Sequence, residues 1–307
     1  MSDEVSDAIA SGRGVVALES TIISHGLPTS TSAATARRIE EAVRQAGAVP
    51  ATLALVDGAV RVGLTDDDLV EVAEGPDVVK TSVRDLGPVL ARGLTGATTV
   101  AATSYLAHRA GIRIFATGGL GGVHRDARDS WDESADLIAL AEVPVTVVCA
   151  GVKSILDVPA TLERLESLSV PVVGFGTDRM PGFYVRDVGL SVPWRVDSAQ
   201  QVADLMACRE ELGLRQALVV ALPVDGEDEM DLELHESTVR EGLAEVARRG
   251  ITGKEVTPFL LGWFHESTAG VSLATNVALV LANAALAARI ATAAAQPVVT
   301  ATRDGDP

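Results

Sequence analysis

The chain has 307 residues, enough for one large core or two modest ones; a chain of this size buries about three quarters of the surface its unfolded form exposes. Hydrophobic residues make up 47% and aromatic residues only 3%, so Ala, Val, Leu and Ile must fill the core, and base-stacking on single-stranded nucleic acid is disfavoured. The net charge of −17 repels a phosphate backbone, which argues against nucleic acid as a partner. The same field requires any small-molecule phosphate site to be local, built from a few basic side chains and backbone N–H groups.

Residues 1–12 are acidic and polar and lack the basic, apolar and small-residue order of a signal peptide. Val15–Leu18 is a short apolar run that ends in Glu19-Ser20-Thr21. From 32 to 46, Ile39, Ala42, Val43 and Ala46 recur at i, i+3, i+4 and i+7, with Arg38, Glu41 and Gln45 on the other side, and this predicts an amphipathic helix. Runs at 52–56 and 59–62 flank Asp57-Gly58, the dipeptide of a type I′ hairpin. Thr65 before Asp66, Asp67 and Asp68 marks a helix N-terminus with acid in its first turn.

From there strands alternate with helices. The pattern predicts strands at 113–116, 145–149, 171–174 and 217–222. It predicts helices at 98–109, 132–141, 159–168, 198–212, 234–248, 258–266 and 272–294. The strands are continuously apolar rather than alternating, as strands covered on both faces are. The expected fold is therefore α/β, a single layered α/β/α domain over 1–295 with a largely parallel central sheet. The stretch 271–295 is Ala-rich and interrupted by Ser272, Thr275, Asn276, Asn283 and Arg289, which points to a buried helix rather than a membrane span. The tail 296–307 loses periodicity and is expected to be disordered. The two cysteines, Cys149 and Cys208, form no C-x-x-C pattern, and Cys149 falls in an apolar run where a buried free thiol is expected. Together these features lead us to expect a cytoplasmic protein.

Common motifs are informative by absence. Gly118-Gly119-Leu120-Gly121-Gly122-Val123-His124 follows a strand, but His124 occupies the last position of a G-x-G-x-x-G reading. The single Gly-Lys pair, Gly253-Lys254, is followed by Glu255, so no P-loop is present. H-E-x-x-H and G-x-S-x-G are missing too. What remains is a set of polar residues at strand ends, where open α/β sheets bind ligands: Glu19, Lys80, Thr117 with the glycines, and Lys153. A lysine held in apolar surroundings favours its neutral form and can attack a masked aldehyde; a surface lysine on a loop is the other reading of the same spacing. The acidic stretch Asp126, Asp129, Asp132, Glu133, Asp136 places Asp132 and Asp136 one turn apart on an expected helix. It reads either as a Mg²⁺ or Mn²⁺ site or as a solvated helix start.

The motif Val16-Ala17-Leu18-Glu19-Ser20-Thr21-Ile22-Ile23-Ser24-His25-Gly26 resembles the opening of the pseudouridine-5′-phosphate glycosidase family, also called indigoidine synthase A-like. Further blocks follow in that family's order. They include Arg84-Asp85-Leu86 after Lys80, Gly96-Ala97-Thr98-Thr99-Val100-Ala101, Asp132 with Ser134-Ala135-Asp136-Leu137, and Gly151 with Lys153-Ser154-Ile155-Leu156-Asp157. The resemblance spans roughly 15–294. It implies that Glu19 is a proton donor and Lys153 the nucleophile. It further implies that Lys80, Val100, Ser134, Ala135 and Asp136 bind substrate, and that Asp132 holds one Mn²⁺ per subunit. His124 and Asn276 fall near the substrate in the same correspondence. The implied reaction is reversible cleavage of pseudouridine 5′-phosphate to uracil and ribose 5-phosphate through a lysine Schiff base, in a homotrimer with no membrane or nucleic-acid partner. Val152 stands where a smaller Ala is frequent in the family. A Schiff-base lyase acting on another phosphosugar and a non-catalytic sugar-phosphate binder are the alternatives.

Overall fold

A computed structural model of the chain describes residues 1–295, so the tail expected to be disordered lies outside the described residues. The strands are β1 (Val15–Leu18), β2 (Val49–Val56), β3 (Ala59–Val62), β4 (Val79–Thr81), β5 (Gly96–Thr98), β6 (Ile114–Ala116), β7 (Thr146–Cys149), β8 (Val172–Phe175), β9 (Trp194–Val196) and β10 (Leu218–Ala221). They form one sheet in the order β4-β5-β2-β1-β6-β7-β10-β8-β9, with β3 pairing β2. Among the described residues, only the β2–β3 and β2–β5 strand pairs are antiparallel. The helices are α1 (Asp3–Ala10), α2 (Thr21–His25), α3 (Thr29–Gln45), α4 (Asp66–Glu74), α5 (Leu86–Ala91), α6 (Val100–Arg109), α7 (Ala127–Ser130), α8 (Ala135–Glu142), α9 (Val158–Ser167), α10 (Ala199–Glu211), α11 (Leu232–Arg249), α12 (Val256–Ser267) and α13 (Val271–Ala295).

The continuous apolar runs behave as the pattern requires: β1, β2, β7 and β10 are buried at every position. On one face α13 packs across β1, β6 and β7 between α3 and α10, and on the other α6 packs on β1, β2, β5 and β6 beside α8. Length and composition alone would let α13 cross a membrane, yet it packs against the sheet and buries Asn276 and Asn283 inward. Asp57 and Gly58 both take positive φ, 49° and 70°, as the hairpin turn between β2 and β3 demands. Thr65 caps α4 by accepting the Asp68 N–H at 3.1 Å, a contact worth about 1 kcal/mol. Cys149 is buried and free, and burial pushes its thiol up to about 12, which leaves it unreactive.

The sequence reading misses β9 and the short helices α2, α5 and α7, and it also departs from the structure at three helix starts. Ser2 caps the short helix α1, which the polar N-terminus conceals. The helix expected from 98 begins at Val100, because Thr98 completes β5 and Thr99 is the N-cap. The helix expected from 132 begins at Ala135, behind the cap residue Ser134.

β2 is the long strand that organises the sheet. Its first half pairs in parallel with β1, Leu18 opposite Thr52, and its second half pairs antiparallel with β5, Ala97 opposite Ala54. Leu53 lies between these registers. Its carbonyl accepts from the Ser20 hydroxyl at 2.6 Å and the Thr98 hydroxyl at 2.8 Å. The Thr98 N–H donates back to Ser20 Oγ at 2.8 Å, and Thr103 donates to Thr98 Oγ1 at 2.9 Å. Thus β1 and β5 meet carboxyl end to carboxyl end along β2, sealed by buried hydroxyls. Thr98→Val keeps the shape but removes a donor from Leu53 and an acceptor from Thr103. It should lower stability by about 1–3 kcal/mol in urea unfolding; a neutral result would mean that the hydroxyl network does not hold the junction.

Candidate active site

The parallel strands β1, β6 and β7 deliver their carboxyl ends to one rim. Glu19 follows β1 directly and is only 8% exposed. Thr117, the first residue after β6, donates its hydroxyl to Glu19 Oε1. Burial pushes the Glu19 carboxyl above the ordinary carboxylate range; the Lys153 charge, the Thr117 hydrogen bond and Lys80 pull it back, while Asp136 adds to the rise. After β7 the chain turns at Gly151, φ 85°, and reaches Lys153. Leu120 N–H donates to Gly151 O at 2.9 Å and Lys153 N–H donates to Leu120 O at 3.0 Å, which zips the lysine loop to the glycine loop.

Lys80 comes from the other side of the junction and, instead of closing its strand as the sequence suggests, lies in the middle of β4, which runs on to Thr81. Burial and then the neighbouring Lys153 lower its pKa, opposed by Asp136, Glu19 and Glu255. Glu19, Lys80, Val100, Asp132, Ser134, Ala135, Asp136 and Lys153 all line one cavity of about 330 Å³. Every residue that the family resemblance assigns to the site lines this cavity, as do His124 and Asn276, whereas Thr117 meets it only through Glu19 and Asp126 and Asp129 do not line it.

The acidic stretch is the part that needs correcting. Asp132 and Asp136 do not share a helix face, because residues 132–134 are extended and zip against 122–124. His124 N–H donates to Asp132 O at 3.0 Å, and Ser134 N–H donates to Gly122 O at 2.9 Å. The two carboxylates consequently do different things. Asp136 is buried, and its oxygens accept Ala101 N–H at 3.0 Å and Gly121 N–H at 2.9 Å. Asp132 borders the cavity with the His124 imidazole 3.7 Å away, while its neighbour Glu133 is paired with Arg164 at 3.0 Å. Among the described residues no group of three or more His, Cys, Asp or Glu side chains forms a metal cage. The Asp132 carboxylate fits a hard divalent cation held by one protein oxygen and completed by water and substrate.

The glycines serve close approach rather than dinucleotide binding. A Cβ on Gly121 would stand 2.3 Å from Ser134 Oγ and 2.6 Å from Asp136 Oδ2, and one on Gly122 would stand 2.3 Å from Thr161 Oγ1. The sequence left several wall residues without a role. His25 and Arg84 appear there only as parts of motifs, and Ser82 and Phe183 carry no signal, yet all four line the cavity. Asn283 shows only as a polar interruption of an apolar run; its amide donates to Thr117 O at 2.8 Å.

Comparisons with known proteins agree along nearly all of the chain. A family model described as indigoidine synthase A-like protein matches residues 4–293. A pseudouridine-5′-phosphate glycosidase of Salinispora tropica is 57% identical over 293 residues, covering 95% of this chain and 90% of that protein. One from Streptomyces griseus is 55% identical over 296 residues, covering 96% and 92%. Among solved structures, the prealnumycin C-glycosynthase AlnA in complex with ribulose 5-phosphate superposes with a TM-score of 0.88 at 39% identity, covering 96% of each chain. An indigoidine synthase A-like protein of Thermotoga maritima gives a TM-score of 0.86 at 36% identity, covering 93% of this chain and 94% of that one.

The saturated Asp136 carboxylate generates a stability prediction. Asp136→Ala leaves two buried N–H groups unpaired and should cost about 3 kcal/mol in chemical denaturation, with Asp136→Asn losing less because one acceptor remains. Unchanged stability in Asp136→Ala would mean that the carboxylate does not tie α6 to the glycine loop.

Proposed function

The chain belongs to the indigoidine synthase A-like family, and from that membership and the cavity's geometry we infer that it is a pseudouridine-5′-phosphate glycosidase. It reversibly cleaves the C–C glycosidic bond of pseudouridine 5′-phosphate to uracil and ribose 5-phosphate. The observation that carries the reading is the convergence of Glu19, with its raised pKa, and Lys153 on one cavity that Lys80 also lines.

The chemistry follows from the bond being broken. An ordinary glycosidase protonates a leaving oxygen between two carboxylates. Here the leaving atom is carbon C5 of uracil, so C1′ needs an electron donor that can stabilise it as the bonding pair departs with the base. The Lys153 amine attacks C1′, the C1′–O4′ bond breaks to open the ribose ring, and the proton shed by the nitrogen passes to O4′. The nitrogen lone pair then forms C1′=N⁺ as the C1′–C5 pair passes to uracil, and C5 takes a proton from Glu19. Water adds to the iminium and releases ribose 5-phosphate, returning the free amine. A buried carboxyl whose hold on its proton is strengthened by burial suits the donor role. Lys80 and the start of α6, with Thr99 and Val100 in the wall, are the local cationic end for the phosphate.

We propose that one Mn²⁺ binds at Asp132, where it would supply positive charge to a coordinated substrate oxygen. His124 beside that carboxylate would orient it. Ser134, Ala135 and Asp136 shape the adjoining wall. A homotrimer is the assembly we favour; Trp131, 87% exposed, and Ile138, 47% exposed, offer apolar surface for a subunit contact. The exposed free thiol of Cys208 suits the reducing cytoplasm.

Incubation with pseudouridine 5′-phosphate and Mn²⁺ should release uracil, read by ultraviolet absorbance. Glu19→Gln should lower kcat by about 10²–10⁴-fold with a smaller change in KM. EDTA should stop turnover and Mn²⁺ restore it. Unchanged substrate after prolonged incubation would remove the glycosidase reading, and full activity in metal-free protein would remove the Mn²⁺ proposal.

A further inference from the structure

Thr117 is fully buried at the end of β6, and three contacts fix it. Its N–H donates to Val148 O at 3.0 Å. Its carbonyl accepts from Asn283 Nδ2 at 2.8 Å, and the same nitrogen lies 3.3 Å from Gly118 O. Its hydroxyl meets Glu19 Oε1. Asn283 is 1% exposed in the middle of the apolar helix α13. A buried amide in such surroundings is destabilising unless its donors are used, and both of its donor contacts go to this one turn. From the other side the Phe183 ring fills the space a Gly119 side chain would need, 2.6 Å from a Cβ placed there. The turn at 117–119 is thus clamped between α13 and an aromatic ring.

The two Glu19 oxygens are not equivalent. Oε1 is occupied by Thr117, whereas Oε2 has no hydrogen-bond partner among the described residues and opens on the cavity that Glu19 lines. We propose that Thr117, held by Asn283, is a positioning residue that occupies Oε1 so that the transferable proton of Glu19 sits on Oε2, facing the substrate. This deepens the reading of Glu19 as the acid and rests on it. It also gives the polar interruption of α13 a purpose: Asn283 acts through Thr117 on a group it does not touch.

The charged groups facing Glu19 are Lys153 from the loop after β7, Lys80 from β4 and Asp136 from α8. Against that background the Thr117 hydroxyl stabilises the carboxylate form, so removing it moves the Glu19 pKa upward. A general acid works protonated, and the rate falls as pH rises through its pKa. Thr117→Val keeps the side-chain shape and removes the donor. It should slow kcat for uracil release by about tenfold, the equivalent of one lost hydrogen bond. Its alkaline limb should nevertheless move to higher pH. A merely distorted site slows the reaction without that upward movement.

Thr117→Ser should restore both rate and limb. Asn283→Leu, checked for folding by circular dichroism, should move both in the same direction by less. A limb that moves to lower pH in Thr117→Val would mean that the hydroxyl accepts from Glu19 instead of donating. An unchanged rate and limb would overturn the positioning role, and a wild-type profile in Asn283→Leu would remove Asn283 from it. Titration of Glu19 by ¹³C NMR in labelled wild type and Thr117→Val reads the same pKa movement without turnover. A failed glycosidase reading would therefore be seen separately, as no uracil from the wild type, and would not mask failure of the Thr117 contact.

Discussion

The site depends on what happens at the Leu53 carbonyl. A parallel sheet alone delivers all its carboxyl ends to one rim and leaves the opposite wall to loops. Here β2 runs on past that rim and recruits β5 from the other direction, so two sets of strand ends face each other across a cleft. Glu19, Thr117 and Lys153 come from the parallel half, and Lys80 comes from the strand beside β5. The Ser20 and Thr98 hydroxyls on Leu53 O close the seam where the backbone ladder of β2 changes partner. Since Ser20 is adjacent to Glu19, the same hydroxyl that seals the sheet also fixes where the acid begins.

Burial of the site's side chains then sets the electrostatics. The protein carries −17 overall, yet its cavity collects Lys80, Lys153 and Arg84 beside Glu19, Asp132 and Asp136. Burial moves Glu19 up and Lys80 down, each toward its neutral form. Under the proposed placement of the phosphate, a dianion beside Lys80 would favour the ammonium again, adding to the pull of Asp136 and Glu19. Asp136 is tolerated as a buried carboxylate because two backbone N–H groups meet its oxygens. Its charge reaches both Glu19 and Lys80 from a fixed position.

Much of this was legible in the residues. Helix α3 follows from its 3.6-residue stripe, the β2–β3 hairpin from Asp57-Gly58, and the buried strands from apolar runs without alternation. The motif blocks likewise carried Glu19, Lys80, Val100, Asp132, Ser134, Ala135, Asp136 and Lys153 into the wall, but not Ser82 or Phe183. Periodicity failed where a local hydrogen bond decides the conformation. Ser134 caps α8 late, and the pairing of 132–134 with 122–124 separates Asp132 from Asp136. Thr98 was claimed by a strand because its hydroxyl serves a carbonyl that only the folded sheet presents. Asn283 could be read as buried but not as attached to Thr117, since that contact joins residues far apart in sequence.

The central claim is that Lys153, rather than Lys80, forms the bond to C1′. Lys80 is the natural chemical rival, because burial and the neighbouring Lys153 charge favour its neutral amine. Borohydride added during turnover reduces an imine to a stable secondary amine, and peptide mapping by mass spectrometry locates it. The account predicts an adduct with the mass of ring-opened ribose phosphate on Lys153, absent in Lys153→Ala although that variant still binds substrate. An adduct on Lys80, or robust uracil release by Lys153→Ala, would contradict it.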